Sequence, residues 1–283
     1  MSNTSIYDKL LEFQKLPDAF TDWQEYRSAL ADYLLAKTPS GSSLAIFGAG
    51  RCNDMDLSRF IRHFSSITLI DADYSAMQEA LRRYRLADHP QIQIELADFT
   101  GISPSDYRSF GDELSSLLNV YGAGTDIHVL ADYALFKLDK FYSAAASHTP
   151  VFGVNAFDYS VCFGVHSQIN NMAAWIWSAF ASNLGTNDPA VEQRIIRAND
   201  ELIPRLNTAI LASTKNLAFF GNELSGTAAL GTIQGACQCI TDLKSRNCLL
   251  GQALIPWSFD PAHQLTYQML IQEADCSHFP SRA

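Results

Sequence analysis

The sequence has few basic residues for its length. Its 283 residues include 20 Lys and Arg against 30 Asp and Glu, a formal net charge of −10 at pH 7. Because Lys and Arg provide most of the affinity for phosphate backbones, this balance argues against a nucleic-acid partner. The one basic cluster, Arg82, Arg83 and Arg85, lies between acidic neighbours and is interpreted as a solvated helix face.

Zinc-type CxxC pairs and long apolar runs are also missing, and the one CxC, Cys237 and Cys239, lies in an apolar run and is interpreted as core packing. The six cysteines are scattered, with no CxxC pair and no His spaced to complete a zinc site, so no metal is predicted. Free thiols fit a reducing cytoplasm. The N-terminus MSNTSIYDKL is too polar for a signal peptide, and no apolar run reaches the roughly 20 residues of a membrane span. We therefore expect a cytoplasmic protein without a membrane partner.

What is present is the composition of a globular core and an alternating pattern of elements. Apolar residues make up 47% of the chain. Short apolar runs at 44–47, 67–70 and 92–96 alternate with helical patterns at 54–64 and 74–86, which is typical of a parallel α/β sheet. Further strands are predicted at 159–163, 216–220, 248–255 and 266–271. Further helices are predicted at 5–37 (two helices parted near 17–21), 167–182, 189–214 and 225–244, with Pro204 expected to kink or divide the third of these.

The simplest domain organisation is a single domain over residues 1–283. It would comprise an N-terminal helical segment (1–40), a cofactor-binding half (41–100), a helical insertion (101–150) and the second half of the sheet with the acceptor side (151–283). An insertion of this size at the carboxyl edge of a sheet often forms a lid or a substrate wall.

A glycine turn and two acids mark one edge of the predicted sheet. Gly48 and Gly50 directly follow the first strand, where glycine permits a sharp turn and close approach of the backbone to a ligand. Asp71 ends the second strand, where an α/β nucleotide fold keeps a carboxylate for the ribose hydroxyls. Asp98 ends the third strand. Asp73 is the competing candidate for the ribose.

These residues resemble the class I S-adenosylmethionine-dependent methyltransferases. The resemblance is carried by Gly48-Ala49-Gly50, by Ile70-Asp71-Ala72-Asp73 with Met77 beyond, and by Ala97-Asp98-Phe99. It implies a Rossmann-like, mostly parallel seven-stranded sheet with helices on both faces and a reversed final hairpin. It also implies that the glycine loop faces the methionine part of the cofactor, Asp71 the ribose, and Asp98 with Phe99 the adenine. Phe47, Ala49, Ala72 and Gly164 complete the predicted cofactor contacts.

Two positions depart from the family pattern. Ile46 stands where the family commonly has an acid, and Cys52 replaces its third glycine. The polar residues Asn53, Asp54 and Asp56 are candidates to supply the missing contacts to the methionine amine, and helix capping is the alternative for each.

The segment leaving the fourth strand, Gly164 to Gln168, is expected where cofactor and acceptor meet. His166 is the candidate general base, since its ordinary pKa lies near neutrality. The alternatives are that it only shapes the turn, or that methyl transfer uses no base and relies on proximity and orientation. Gln168 is a candidate acceptor contact.

Three more side chains are candidates for the acceptor site. Glu223 follows the fifth strand and either binds an acceptor amine or caps a helix that starts near Ser225. Tyr121 and Trp257 are candidate walls of the acceptor pocket, with core packing as the alternative.

The leading hypothesis is therefore an S-adenosylmethionine-dependent methyltransferase acting on a small molecule or a peptide, by O- or N-methylation. An NAD-dependent oxidoreductase is less favoured, because Asn53 stands where the last glycine of GxGxxG should fall. A methyltransferase-like binding or scaffold protein without activity is the third hypothesis. The oligomeric state is not predicted.

Overall fold

The structure is a computed structural model that describes residues 5–13, 15–225, 234–277 and 279. The helices are α1 (Ile6–Phe13), α2 (Ala19–Asp22), α3 (Gln24–Lys37), α4 (Leu57–Phe60), α5 (Tyr74–Tyr84), α6 (Pro104–Tyr121), α7 (Ile127–Ala145), α8 (Asn171–Leu184), α9 (Pro189–Ser213) and α10 (Gln234–Ser245). The strands are β1 (Ser43–Phe47), β2 (Ser66–Asp71), β3 (Ile92–Leu96), β4 (Phe157–Phe163), β5 (Thr214–Ser225), β6 (Leu249–Asp260) and β7 (Leu265–Asp275).

The chain divides into two compact units. The helical unit holds the described residues of Met1–Leu16, Thr100–Thr149 and Gln168–Leu202, and the sheet unit holds those of Pro17–Phe99, Pro150–Ser167 and Ile203–Ala283. The segment predicted as an insertion, 101–150, therefore shares a unit with two other parts of the chain. The organisation as a single domain stays a prediction.

The helical unit is built from α1, α6, α7, α8 and the first part of α9. Helix α6 begins with a capping box, in which the Ser103 hydroxyl accepts from the Asp106 N–H and the Asp106 carboxylate accepts from the Ser103 N–H. Its core contains fully buried side chains from four helices, among them Phe110, Leu138, Trp177 and Val191. Burial of these apolar faces is the main stabilising term for the unit.

The sheet unit contains seven strands in the order β3-β2-β1-β4-β5-β7-β6. Strands β1 to β5 pair in parallel, and β7 is antiparallel to both β5 and β6. Strand β1 lies at the centre of the parallel part and is buried along nearly its whole length, as the continuous apolar run predicts. The prediction of a Rossmann-like, mostly parallel seven-stranded sheet with a reversed final hairpin is confirmed.

The first helix after β1 is much shorter than predicted. The periodicity over 54–64 predicts three turns, but α4 covers only Leu57–Phe60. The Asn53 carbonyl accepts from the Arg27 guanidinium at 2.7 Å, so it is not available to a helical ladder. Asp56 then caps the helix by accepting from the Arg59 N–H. Capping is thus the observed role of Asp56, and residues 48–56 form a loop.

Two other predicted helices are clarified by the structure. Helix α9 is not divided at Pro204 but runs through it, and Thr208 donates to the Pro204 carbonyl one turn later. The helix predicted from 225 cannot begin there because Ser225 ends β5, and residues 226–233 lie outside the described residues. Of the helices described, none combines the length and apolar character needed to span a bilayer.

Candidate functional site

The glycine turn after β1 adopts backbone conformations that favour glycine. Gly48 has φ +70°, Gly50 has φ +46°, and Cys52 has φ +47°. The loop therefore keeps a left-handed conformation at Cys52 although the family's glycine is absent. The Gly48 and Ala49 N–H groups both donate to the Ile70 carbonyl, which ties the turn to the end of β2.

Asp71 holds this turn from the end of β2. Its Oδ2 accepts from the Gly50 N–H at 2.9 Å, and its Oδ1 accepts from the Asp73 N–H at 2.9 Å. Burial raises the pKa of Asp71, and the two N–H donors oppose that shift. The structure gives Asp73 a different task, since its side chain caps α5 by accepting from the Ala76 N–H. Ala72, between the two acids, is exposed.

The adenine candidates lie at the end of β3, beside a row of aromatic rings. Asp98 is exposed and Phe99 is half-buried. The Phe99 ring lies 6.1 Å from that of Phe152, which in turn lies 4.8 Å from the ring of Phe47. Phe47 itself is fully buried, so its ring packs in the core beneath this edge of the sheet and is not exposed to solvent.

The loop after β4 packs directly against the glycine turn. Gly164 has φ +66° and donates its N–H to the Gly221 carbonyl at the edge of β5. A Cβ added to Gly48 would lie 2.1 Å from Val165 Cγ2. The loops after β1 and β4 are thus in van der Waals contact, which requires glycine at position 48.

His166 is fully buried at the start of a polar chain. Its Nε2 lies 2.8 Å from Asn207 Oδ1, while Asn207 Nδ2 donates to Asp242 at 2.7 Å. Because Asp242 can only accept, Asn207 presents its oxygen to His166, which therefore donates from Nε2. Arg246 completes the chain by donating to Asp242. Nδ1 has no hydrogen-bond partner among the described residues, and burial lowers the pKa of His166 to about 4.

This burial predicts an acid-sensitive contribution to stability. Between pH 6.5, the ordinary pKa, and about 4, the unfolded chain protonates His166 and the folded chain does not. The free energy of unfolding therefore falls as the pH falls through this window, by about 3 kcal/mol in total from this group. His166→Gln keeps a donor toward Asn207 and should lose that sensitivity, measured as the difference between the two proteins in urea unfolding from pH 7 to 4.

The comparison with wild type cancels the other titrating groups, including Asp54, whose raised pKa acts in the opposite direction over the same range. If the free energy of unfolding changes with pH equally in the two proteins, then His166 protonates freely in the folded state. That result would favour a solvent-accessible imidazole and, with it, the general-base hypothesis.

Asn53 and Asp54 belong to the loop and do not cap α4. The Asn53 side chain accepts from Arg83 at 2.5 Å, which ties it to α5. Asp54 is half-buried, and desolvation raises its pKa to about 6 although Arg27 acts against the shift. Ile46, at the position of the missing acid, is fully buried in the sheet core.

Glu223 lies inside β5 near its carboxyl end and is 7% exposed. Its Oε1 accepts from the Ser167 hydroxyl at 3.0 Å and lies 3.2 Å from where a Cβ on Gly164 would be. Since β5 continues to Ser225, Glu223 does not cap a helix starting there. Desolvation raises its pKa, and the nearby Asp54 adds to the shift.

Trp257 packs in the core of the sheet unit, where its ring stacks on that of Tyr26 at 4.8 Å. In the sequence, Tyr26 is one apolar residue within the helical pattern over 5–37. Its buried hydroxyl is close enough to Asp54 and Glu223 for both carboxylates to raise its pKa further, after burial itself. No spacing in the sequence indicates this proximity.

The remaining acceptor candidates, Gln168 and Tyr121, belong to the helical unit and are exposed. Within the described part of the chain, no group of three or more His, Cys, Asp or Glu side chains is arranged to hold a metal ion.

No protein-family model matches the sequence, and no curated protein matches it. Solved structures do resemble it. Magnesium protoporphyrin IX methyltransferase from Synechocystis, with bound SAH, covers 97% of this chain and 89% of its own at 10% identity and a TM-score of 0.45. Precorrin-6y C5,15-methyltransferase from Geobacter metallireducens covers 89% and 87% at 7% identity and a TM-score of 0.41.

Proposed function

We propose that the protein is an S-adenosylmethionine-dependent methyltransferase that acts on a small molecule or a peptide. The observation that carries the proposal is the hydrogen bond between the Gly50 N–H and the Asp71 carboxylate. It joins a left-handed glycine turn after β1 to an acid at the end of β2, at the carboxyl edge of a parallel sheet. This edge is where open α/β sheets bind nucleotide-like ligands.

The residues at this edge fit the cofactor in shape and chemistry. A Cβ added to Gly50 would have no atom closer than 4.0 Å, so the space above this backbone is open to a ligand. Asp71 would hold the ribose hydroxyls, Asp98 and Phe99 the adenine, and the turn from Gly48 to Gly50 the methionine part. Asp54 is placed in the same loop to accept from the methionine ammonium in place of the acid absent at Ile46.

When bound, the cofactor supplies a methyl group on a positively charged sulfur, which is a strong electrophile. The chain's contribution is orientation, since the glycine turn and the loop at Gly164 fix the position of the backbone at which the two reactants would meet. His166 is part of this proposal as a functional residue. Its buried neutral imidazole and its bond to Asn207 support a role in positioning the Gly164 loop.

Cytoplasmic location belongs to the same proposal. The six cysteines all lie in described segments and all are free thiols. Thiols of this kind persist in a reducing compartment.

Calorimetric titration of the full chain with S-adenosylhomocysteine, beside NAD, tests the proposal. We expect micromolar affinity for S-adenosylhomocysteine and no binding of NAD. The reason is that Asn53 stands where the dinucleotide-binding pattern GxGxxG has its last glycine. Binding of NAD alone would indicate an oxidoreductase. Binding of neither would favour the scaffold hypothesis.

A further inference from the structure

A group of polar side chains, two of them buried, comes from the loop after β1, from α3 and from the end of β5. We call it the Glu223 cluster, and it consists of Asp54, Glu223 and Tyr26, with Trp257 stacked behind the tyrosine ring. Burial raises the pKa of the Tyr26 hydroxyl and both carboxylates add to that shift, while Asp54 adds to the rise in the pKa of Glu223 that desolvation causes. The three side chains come from a loop, a strand and a helix of the sheet unit.

The cluster contains buried polar atoms without partners. Glu223 Oε2, the Tyr26 hydroxyl and Trp257 Nε1 have no hydrogen-bond partner among the described residues, and these residues are 7%, 3% and 6% exposed. Buried polar groups in native proteins are nearly always hydrogen-bonded, so these orphaned atoms need an explanation. A bound ligand is the explanation that the geometry favours.

Glu273 on β7 is a second buried glutamate of this sheet, and its carboxylate has the partners expected of a structural residue. It is 6% exposed, and it binds Lys37 Nζ at 2.8 Å and accepts from the Tyr33 hydroxyl. Glu223 has no such cation among the described residues. Arg27, whose charge lowers the pKa of Asp54, donates to the carbonyls of Phe20 and Asn53.

The missing partner of Glu223 Oε2 must therefore be a hydrogen-bond donor, and a cation best complements a buried carboxylate. An ammonium group has three donors and no acceptor, so it supplies a donor for the free Glu223 oxygen and one for the hydroxyl oxygen of Tyr26. Glu223 is already oriented for this, because Ser167 fixes its other oxygen at 3.0 Å.

Strand order indicates that this cation belongs to the acceptor. The cofactor candidates Asp98 and Asp71 follow β3 and β2, and the glycine turn follows β1. Glu223 lies on β5, on the opposite side of β4 from these strands. Resting on the proposed function, we infer that the methyl acceptor carries an amine, which binds as an ammonium ion to Glu223 beside Gly164. For its nitrogen to act as a nucleophile the ammonium must lose a proton, and Glu223 Oε2 is placed to receive it.

Calorimetry with paired probes tests this inference on the full chain. The probes are butylammonium, phenethylammonium and tryptammonium, each beside the alcohol of the same skeleton, titrated with and without saturating S-adenosylhomocysteine. We expect at least one ammonium ion to bind about tenfold or more tightly than its alcohol. Glu223→Gln should remove this preference while leaving the affinity for S-adenosylmethionine within about twofold. Tyr26→Phe should weaken ammonium binding by a smaller factor.

Glu273→Gln is the matched control, since it neutralises an equally buried glutamate on the same sheet. It should lower the melting temperature and leave the ammonium preference intact. Glu223→Gln should not lower the melting temperature, because an unpaired buried carboxylate is replaced by a neutral amide of the same shape.

Two results would overturn the inference. One is the absence of any preference for ammonium over alcohol in all probe pairs. The other is an equal loss of S-adenosylmethionine affinity in Glu223→Gln, which would assign the carboxylate to the cofactor. Failure of S-adenosylhomocysteine to bind, with the ammonium preference retained, would instead reject methyl transfer and leave the cation site standing.

Discussion

Replacing Asp71 with alanine should raise the dissociation constant for S-adenosylhomocysteine about 30-fold or more. The carboxylate is proposed to accept from the ribose, and loss of a hydrogen bond to a charged group weakens binding by about 2 kcal/mol. The same side chain also holds the Gly50 N–H at 2.9 Å, so its removal frees the glycine turn as well. Isothermal titration calorimetry of the purified variant measures this effect.

Asp73→Ala is the control for this experiment, because it tests the competing ribose candidate two residues away. Asp73 caps α5 through the Ala76 N–H, so its loss should lower the free energy of unfolding by about 1 kcal/mol. The affinity for the ligand should remain within a few-fold of wild type. If Asp73→Ala loses affinity for the ligand and Asp71→Ala retains it, the ribose contact belongs to Asp73.

Gly48→Ala should destabilise the fold by about 3 kcal/mol. The residue has φ +70°, a region that costs other L-residues about 1–2 kcal/mol, and its new Cβ would lie 2.1 Å from Val165 Cγ2. Overpacking of this kind adds about 1–3 kcal/mol. Urea unfolding at pH 7 measures the loss.

A double variant separates the steric part of this loss from the conformational part. Val165→Ala removes the clashing methyl group, and the remaining Cβ–Cβ distance of 3.5 Å is an ordinary contact. The combined loss in Gly48→Ala/Val165→Ala should therefore be smaller than the sum of the two single losses. Strict additivity would mean that the loops after β1 and β4 are not packed together in solution.

Gly50→Ala is a further comparison, because no atom lies closer than 4.0 Å to its added Cβ. The only structural penalty is the left-handed backbone, so this variant should be more stable than Gly48→Ala. It should bind S-adenosylhomocysteine more weakly than wild type, since the new methyl group points into the space proposed for the ligand. Comparison of Gly48→Ala with Gly50→Ala thus distinguishes the effect of the turn on stability from its effect on ligand affinity.

Features of the fold that depend on short-range patterns could be predicted from the sequence. Apolar runs such as 67–70 mark buried parallel strands, and Gly48 and Asp71 mark the ends of their strands, because strand burial and turn chemistry are local properties. The resemblance to a known family then implied the seven-stranded sheet and the reversed hairpin. Where tertiary contacts competed with local periodicity, as at Asn53 and Arg27, the predicted helix was too long.

The sequence by itself determined the strands, the glycine turn and the acids that follow β2 and β3, since each of these depends on neighbours along the chain. Only the tertiary structure decided that His166 is a buried imidazole bonded to Asn207, and that Asp54, Glu223 and Tyr26 form one cluster. These residues come from separate helices, strands and loops. Their proximity depends on which strands lie side by side and on how α3 packs over the sheet, and burial, charge coupling and orphaned hydrogen-bonding atoms arise only from that arrangement.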